Sequence, residues 1–134
     1  MKSQADLVKS WLRKAESDLA NAQLCLHANT ALDTVCFHAQ QAAEKFLKSF
    51  LAANQIHFPP MHNLEKLIEF CLKKDPAFTK LKTAAQNLTP YAVESRYDDD
   101  FWPSLDTANE AVHFTLEIRD FVMARLAKEF KDKP

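Results

Sequence analysis

Four polar side chains, His38, Gln41, Lys45 and Lys48, follow one another at steps of three, four and three, the spacing that lines residues along one edge of a helix. Two ammonium groups about one turn apart attract phosphate as point charges, while an imidazole and a carboxamide add hydrogen bonds to a base or sugar. Further along, Arg96 brings a guanidinium able to fork onto phosphate, and Tyr97 a ring on which a base can stack. The chemistry these groups share is recognition of a nucleotide or RNA phosphate. Asp98, Asp99 and Asp100 follow at once and oppose it, unless they pair with the basic groups, hold a cation or face elsewhere. The plainer alternative for the edge is the solvent-facing strip of a central helix.

Other chemistries find less support. A di-metal site in a helical bundle takes a Glu-x-x-His pair from each of two helices, and Glu110 with His113 is a single copy, so neither a metal nor a cofactor is expected. No Ser or Cys is set beside a His by its spacing, as a hydrolase nucleophile would be. Glycine is absent, where average usage near 7% predicts about nine in a chain this long. Phosphate-cradling loops, dinucleotide fingerprints and nucleophile elbows all need glycine backbone, and tight hairpins lose their usual turn residue. Lys plus Arg number 17 against 18 Asp plus Glu, so binding to nucleic acid would have to come from a local patch.

The elements that must position these groups read as helices. Val8, Trp11, Leu12, Ala15, Leu19, Ala22 and Leu26 place one apolar face on a helix from about Asp6 to His27. A second helix, about Ala31 to Asn54 with Asp33 or Thr34 as its cap, has an apolar arc wide enough for a central element. Pro59-Pro60 fixes the connection that follows. His62-Asn63 sits where the N-cap of a third helix through Leu72 is wanted, and Asp75-Pro76 opens a shorter one ending before Pro90. The stretch from Thr89 to Pro103 has weak periodicity and reads as a loop or irregular helix end. Ser104 caps the last long helix, and the Lys-rich end from Lys128 to Pro134 is expected to fray. The fold class is therefore all-α, an antiparallel (up-down) bundle of four to five helices in one domain over 1–134, with its core at about 6–126. No run reaches the ~18 apolar residues of a membrane span, and Cys25, Cys36 and Cys71 read as buried free thiols, so a cytoplasmic protein without membrane contact is expected.

The run from Phe37 to Leu51, FHAQQAAEKFLKSFL, the His62-Asn63-Leu64 step and Ser95-Arg96-Tyr97 together resemble the HEPN domain family of prokaryotes. Trp11, Ala15, Asp18 and Leu19 fit that family's first helix, and the resemblance covers about residues 6 to 126. It implies a helical bundle, commonly a homodimer, often encoded beside a minimal nucleotidyltransferase with which it forms a toxin–antitoxin pair. It also implies, for many members, metal-independent endoribonuclease activity from an Arg followed four to six residues later by a His. No His stands at that distance after Arg13, Arg96, Arg119 or Arg125.

The reading that follows is a nucleotide- or RNA-binding homodimer with a nucleotidyltransferase partner, contacting its ligand through His38, Gln41, Lys45, Lys48, Arg96 and Tyr97. The alternatives are a ribonuclease with a rearranged set drawn from His38, His62 and Arg96, or a purely structural interaction module. Trp11, Phe114 and Phe121 exceed what a small bundle easily buries and mark helix one or the last helix as the dimer face.

Overall fold

The computed structural model describes residues 2–131, the side chains of Ser95 and Arg96 excepted. Within them the chain is helical and contains no strand, the all-α bundle that the spacing predicts. In chain order the elements are α1 (Gln4–His27), α2 (Leu32–Ala53), α3 (Leu64–Leu72), a 3-10 turn (Pro76–Leu81) running into α4 (Lys82–Leu88), α5 (Tyr91–Tyr97), α6 (Leu105–Met123) and α7 (Lys128–Lys131).

α1 begins two residues before the Asp6 expected from the sequence, because Ser3 and Asp6 close a reciprocal capping box. The Ser3 hydroxyl accepts from the Asp6 N–H at 3.1 Å and the Asp6 carboxylate accepts from the Ser3 N–H at 3.2 Å. Asn63, Asp75 and Ser104 cap their elements as their types predict. The cap expected of Asp33 or Thr34 does not form. α2 starts instead behind Ala31, whose backbone is left-handed, and the Thr34 hydroxyl donates back to the Ala31 carbonyl.

With no glycine available, other residues take the left-handed turns that end the two long helices. After α1, Asn29 has φ 52°, its N–H reaches the Leu26 carbonyl, and the Thr30 N–H reaches the Cys25 carbonyl. After α2, Gln55 has φ 55°, with the Gln55 and Ile56 N–H groups on the Ala52 and Leu51 carbonyls. Both are Schellman endings, which satisfy last-turn carbonyls. Asn tolerates this backbone; Gln55 and Ala31 carry a Cβ that opposes it.

α2 is the centre of the molecule. Val35, Cys36, Ala39, Ala42, Ala43, Phe46, Leu47, Phe50 and Leu51 are all buried, and α2 packs against α1, α3, α5 and α6. α1 and α2 form an antiparallel hairpin, closed at its open end by the Gln4 carboxamide, which donates to the Ala52 and Ala53 carbonyls. α6 runs antiparallel to α1: its start, at Leu105, Asn109 and Val112, shares a groove with Gln23, Leu26 and His27 at the end of α1. It therefore lies in the same direction as α2, and the intervening short helices are the crossover this requires. Thr115 donates across that seam to the Ala39 carbonyl at 2.8 Å. At the far end Phe78 stacks between Phe50 and Phe121, with ring centroids 4.5 and 4.8 Å apart. Arg125 lies over the Phe121 ring and donates to Asp75 at 2.7 Å. The Ala77 N–H, and then this guanidinium, hold the Asp75 carboxyl below the usual carboxylate range. That contribution to stability is present at neutral pH and is lost as the solution is acidified through the carboxyl's lowered range.

Further sequence expectations need correction. The stretch from Thr89 to Pro103 contains α5: Pro90 presets the first turn, and Tyr91 packs onto Phe101 with ring centroids 5.6 Å apart. Seven residues are too few to show a period. The tail also forms a helical turn, with Lys131 Nζ donating to the Met123 carbonyl, while residues 132–134 lie outside the described residues. Trp11, Phe114 and Phe121 pack partly buried against the core; the most exposed large apolar groups are instead Leu24 and Trp102. No helix among the described residues is long and apolar enough to cross a membrane.

Two measurements check this description. Gln55→Gly relieves the left-handed Cβ and is expected to stabilise the fold by about 0.5 kcal/mol in urea unfolding, with Gln55→Val shifting it the opposite way. Burial pushes the Cys36 and Cys71 thiols up to about 12, so a thiol-specific reagent should label half-buried Cys25 alone in the native protein and all three cysteines after unfolding.

Candidate functional site

The polar edge of α2 does not stand free, because α1 and α2 itself supply carboxylates that meet it. Asp18 sits on the buried stripe of α1, one turn from Ala15 and Ala22, and so faces α2. His38 and Lys45 lie seven positions apart on the facing side of α2, which brings both within reach of one carboxylate. His38 Nδ1 meets Asp18 Oδ1 at 2.9 Å, and Lys45 Nζ donates to Asp18 Oδ2.

The second unit repeats this arrangement around Glu44. His62 Nδ1 meets Glu44 Oε1 at 2.9 Å, and Lys48 Nζ donates to Oε2 at 3.0 Å. This carboxylate is 3% exposed and Lys48 only 8%. The ammonium also lies 5.3 Å from the centroid of the Trp11 ring and 5.9 Å from that of Phe58, a cation held between aromatic faces. Gln40 is fully buried and donates to the His62 carbonyl at 2.9 Å, so the proline-bearing connection is tied to α2 through both the backbone and the ring of His62. Gln41 donates to the Gln40 carboxamide oxygen at 2.7 Å. No buried side-chain nitrogen or oxygen among the described residues lacks a partner.

Each unit is thus a histidine and a lysine sharing one carboxylate, and each ammonium is matched by one negative charge. Of the predicted ligand-contacting residues, the structure brings His38 and Lys45 together on Asp18, and ties Gln41 through Gln40 to the Glu44 unit. Lys48 is turned inward, not along a solvent edge. His62 joins Lys48 through Glu44, and its side chain is 72% exposed. Tyr97 is exposed at the end of α5, and α5 packs on α2; the Arg96 side chain lies outside the described residues. Asp98 closes a local turn, its carboxylate accepting from the Asp100 N–H at 2.9 Å.

Sequence reasoning missed Asp18, Gln40 and Glu44 as the partners that hold the α2 edge. The signal was present for two of them. Asp18 is a charged residue on an otherwise apolar helical stripe, and Glu44 precedes Lys48 by four positions, the spacing of a helical ion pair.

The chemistry left to this arrangement belongs to the imidazoles. An ionised carboxylate only accepts hydrogen bonds, so each Nδ1 carries the donated hydrogen and each Nε2 keeps its lone pair when the ring is neutral. A carboxylate in this position fixes the tautomer and supports an imidazolium if one forms.

The HEPN domain model matches residues 8–128, a span that contains both units entire. The chain belongs to the HEPN domain family. Among solved structures, this HEPN chain is similar to that of ST0689, an archaeal HEPN homologue, at 25% identity and a TM-score of 0.72 over 95% of this chain and 100% of that one. It is also similar to TT1696 from Thermus thermophilus, at 29% identity and a TM-score of 0.76 over 89% and 98% of the two chains. No curated protein sequence matches it.

The shared Glu44 makes a stability prediction. Glu44→Leu strands the Lys48 ammonium between two rings and is expected to cost about 3–5 kcal/mol in urea unfolding, whereas Glu44→Leu with Lys48→Met returns to within about 1 kcal/mol of the parent. Additive losses in the double variant would show that the two charges are not coupled.

Proposed function

We propose that this HEPN chain is a non-cleaving module that binds a nucleotide or RNA along the α2 edge, acting as a homodimer with a minimal nucleotidyltransferase partner of the toxin–antitoxin type. The observation that carries the reading is the pair of carboxylate-held imidazoles, His38 on Asp18 and His62 on Glu44. Fixed rings able to exchange hydrogen bonds with sugar or phosphate are what a recognition surface needs, and a merely solvated strip needs none of them. The lack of an Arg with a His four to six residues beyond it supports binding without cleavage. Family membership supports the partner and the dimer as part of this reading, and the exposed Leu24 and Trp102 offer apolar surface for such contacts.

One observation favours a second reading. His62 is exposed and oriented by a buried carboxylate, the environment of a general base. In a ribonuclease it would take the proton from a 2′-hydroxyl.

Titration of labelled ATP, GTP and short RNA separates these readings. Binding should weaken about tenfold in Lys45→Ala or Arg96→Ala, the scale of one charge-assisted hydrogen bond, with RNA recovered intact in EDTA. No binding by the parent protein leaves a scaffold. Cleavage in EDTA that His62→Ala abolishes establishes the nuclease.

A further inference from the structure

We propose that the end of the bundle where α1 finishes and α6 begins is the docking surface for a protein partner that presents a basic amphipathic helix. The proposal rests on the partner of the reading above and gives that contact a place and a chemistry.

Exposed apolar surface gathers at this end. Six large apolar side chains stand exposed among the described residues, and only Leu7 lies elsewhere, at the start of α1. Leu24 is in the last turn of α1, and Trp102 and Leu105 flank the start of α6. Val93 and Tyr97 share a face of α5, which the stacking of Tyr91 on Phe101 ties to the same end. Leu24 and Trp102 are 72% and 76% exposed. Scattered singly such groups mean little, but five at one end mark a contact surface.

Between the last turn of α1 and the first turns of α6 this surface opens into a groove of about 420 Å³, lined by Gln23, Leu26, His27, Leu105, Asn109 and Val112. Its floor is apolar, with Val112 buried and Leu26 half-buried, and carboxamides stand on both walls, Gln23 from α1 and Asn109 from α6. Grooves of this make-up seat the apolar side chains that an amphipathic helix repeats every three or four residues.

Charge selects the occupant. Residues 91–112 include the acids Glu94, Asp98, Asp99, Asp100, Asp106 and Glu110 against one cation, Arg96. No Lys or Arg lies between Lys14 and Lys45, the stretch that supplies the end of α1 and the start of α2. None of the six acids is in an ion pair among the described residues. Exposed lysines crowd the opposite end instead, with Lys73, Lys74 and Lys80 around Asp75, and Lys128 beyond α6. The acidic end repels RNA phosphate and anionic lipid alike. A second copy seated through the same face would set acid against acid across an isologous interface. Seated head to tail it would offer the basic end, where Leu7 is the one exposed large apolar side chain. A partner helix whose lysines or arginines flank an apolar row satisfies both the groove and its rim.

Fluorescence anisotropy tests this with two labelled helical peptides of about 18 residues that share a Leu face, flanked by Lys in one and by Glu in the other. The Lys peptide should bind the parent protein about tenfold more tightly, the worth of two or three exposed charge pairs. Leu24→Ser with Trp102→Ser should weaken that binding about tenfold, and Leu7→Ser should leave it unchanged. Both replaced side chains lie mostly in solvent, so the double variant keeps the core intact. Asp98→Asn, Asp99→Asn and Asp100→Asn together should narrow the gap between the peptides and flatten its dependence on salt. Equal affinity for the two peptides, or a Lys peptide indifferent to the Leu24 and Trp102 changes, overturns the proposal. So does labelled oligo(U) binding that the double variant abolishes, which gives the face to nucleic acid, or a dimer in sedimentation that the double variant dissociates, which gives it to a second copy. A nucleotidyltransferase that binds the parent and the double variant alike overturns the proposal and keeps the reading above.

Discussion

A helix packed by neighbours on nearly every side can keep ionised groups only where each meets an opposite charge, because an unpaired ion taken out of water costs several kcal/mol. α2 is such a helix. Asp18 enters from α1 to meet Lys45, and Glu44 is carried on α2 itself to meet Lys48. The depth of the second pair, under Trp11 and Phe58, leaves no room for a mismatch. Much else follows from meeting this condition: the register of the α1–α2 hairpin, the docking of the proline connection through His62, and the burial of Gln40 between them.

The same condition changes what the α2 edge offers a ligand. Read along the sequence, the edge is cationic. In the folded molecule its ammonium groups are already engaged, and the imidazoles are what the network leaves turned outward. What the edge presents outward is hydrogen-bonding capacity more than net charge, in a chain whose overall charge is close to neutral.

How much was legible in the sequence depended on the range of the interaction involved. Helix identity was legible in the apolar periods of α1, α2 and α6, and Asn63, Asp75 and Ser104 were legible as caps, because both are decided within one or two turns. α5 was not, since seven residues behind Pro90 show no period and its stability comes from packing on α2. The cap of α2 failed as a local reading because Ala31 takes a left-handed backbone that its side chain disfavours. On α2, the alignment of His38, Gln41 and Lys45 was legible from spacing, and Lys48 was aligned with them but is turned inward instead of lying on an open edge. Its orientation is set by Glu44, Trp11 and Phe58, and the last two come from outside its own helix. Asp18 shows the limit most clearly: its role exists only once two helices are laid side by side.

The parallel placement of α2 and α6 bears on how the molecule assembles. The hairpin of α1 and α2 needs only a tight four-residue turn between them (28–31). The Thr115–Ala39 bond across the other seam joins residues 76 positions apart. Closing that longer loop costs more chain entropy, and the cost is met before the contact is made. The hairpin is thus the natural folding nucleus, complete with its internal charge pairs, and α6 docks onto a surface already formed. Changes along the α2–α6 seam would then be felt mainly as faster unfolding, while changes between α1 and α2 would slow the search for the native state.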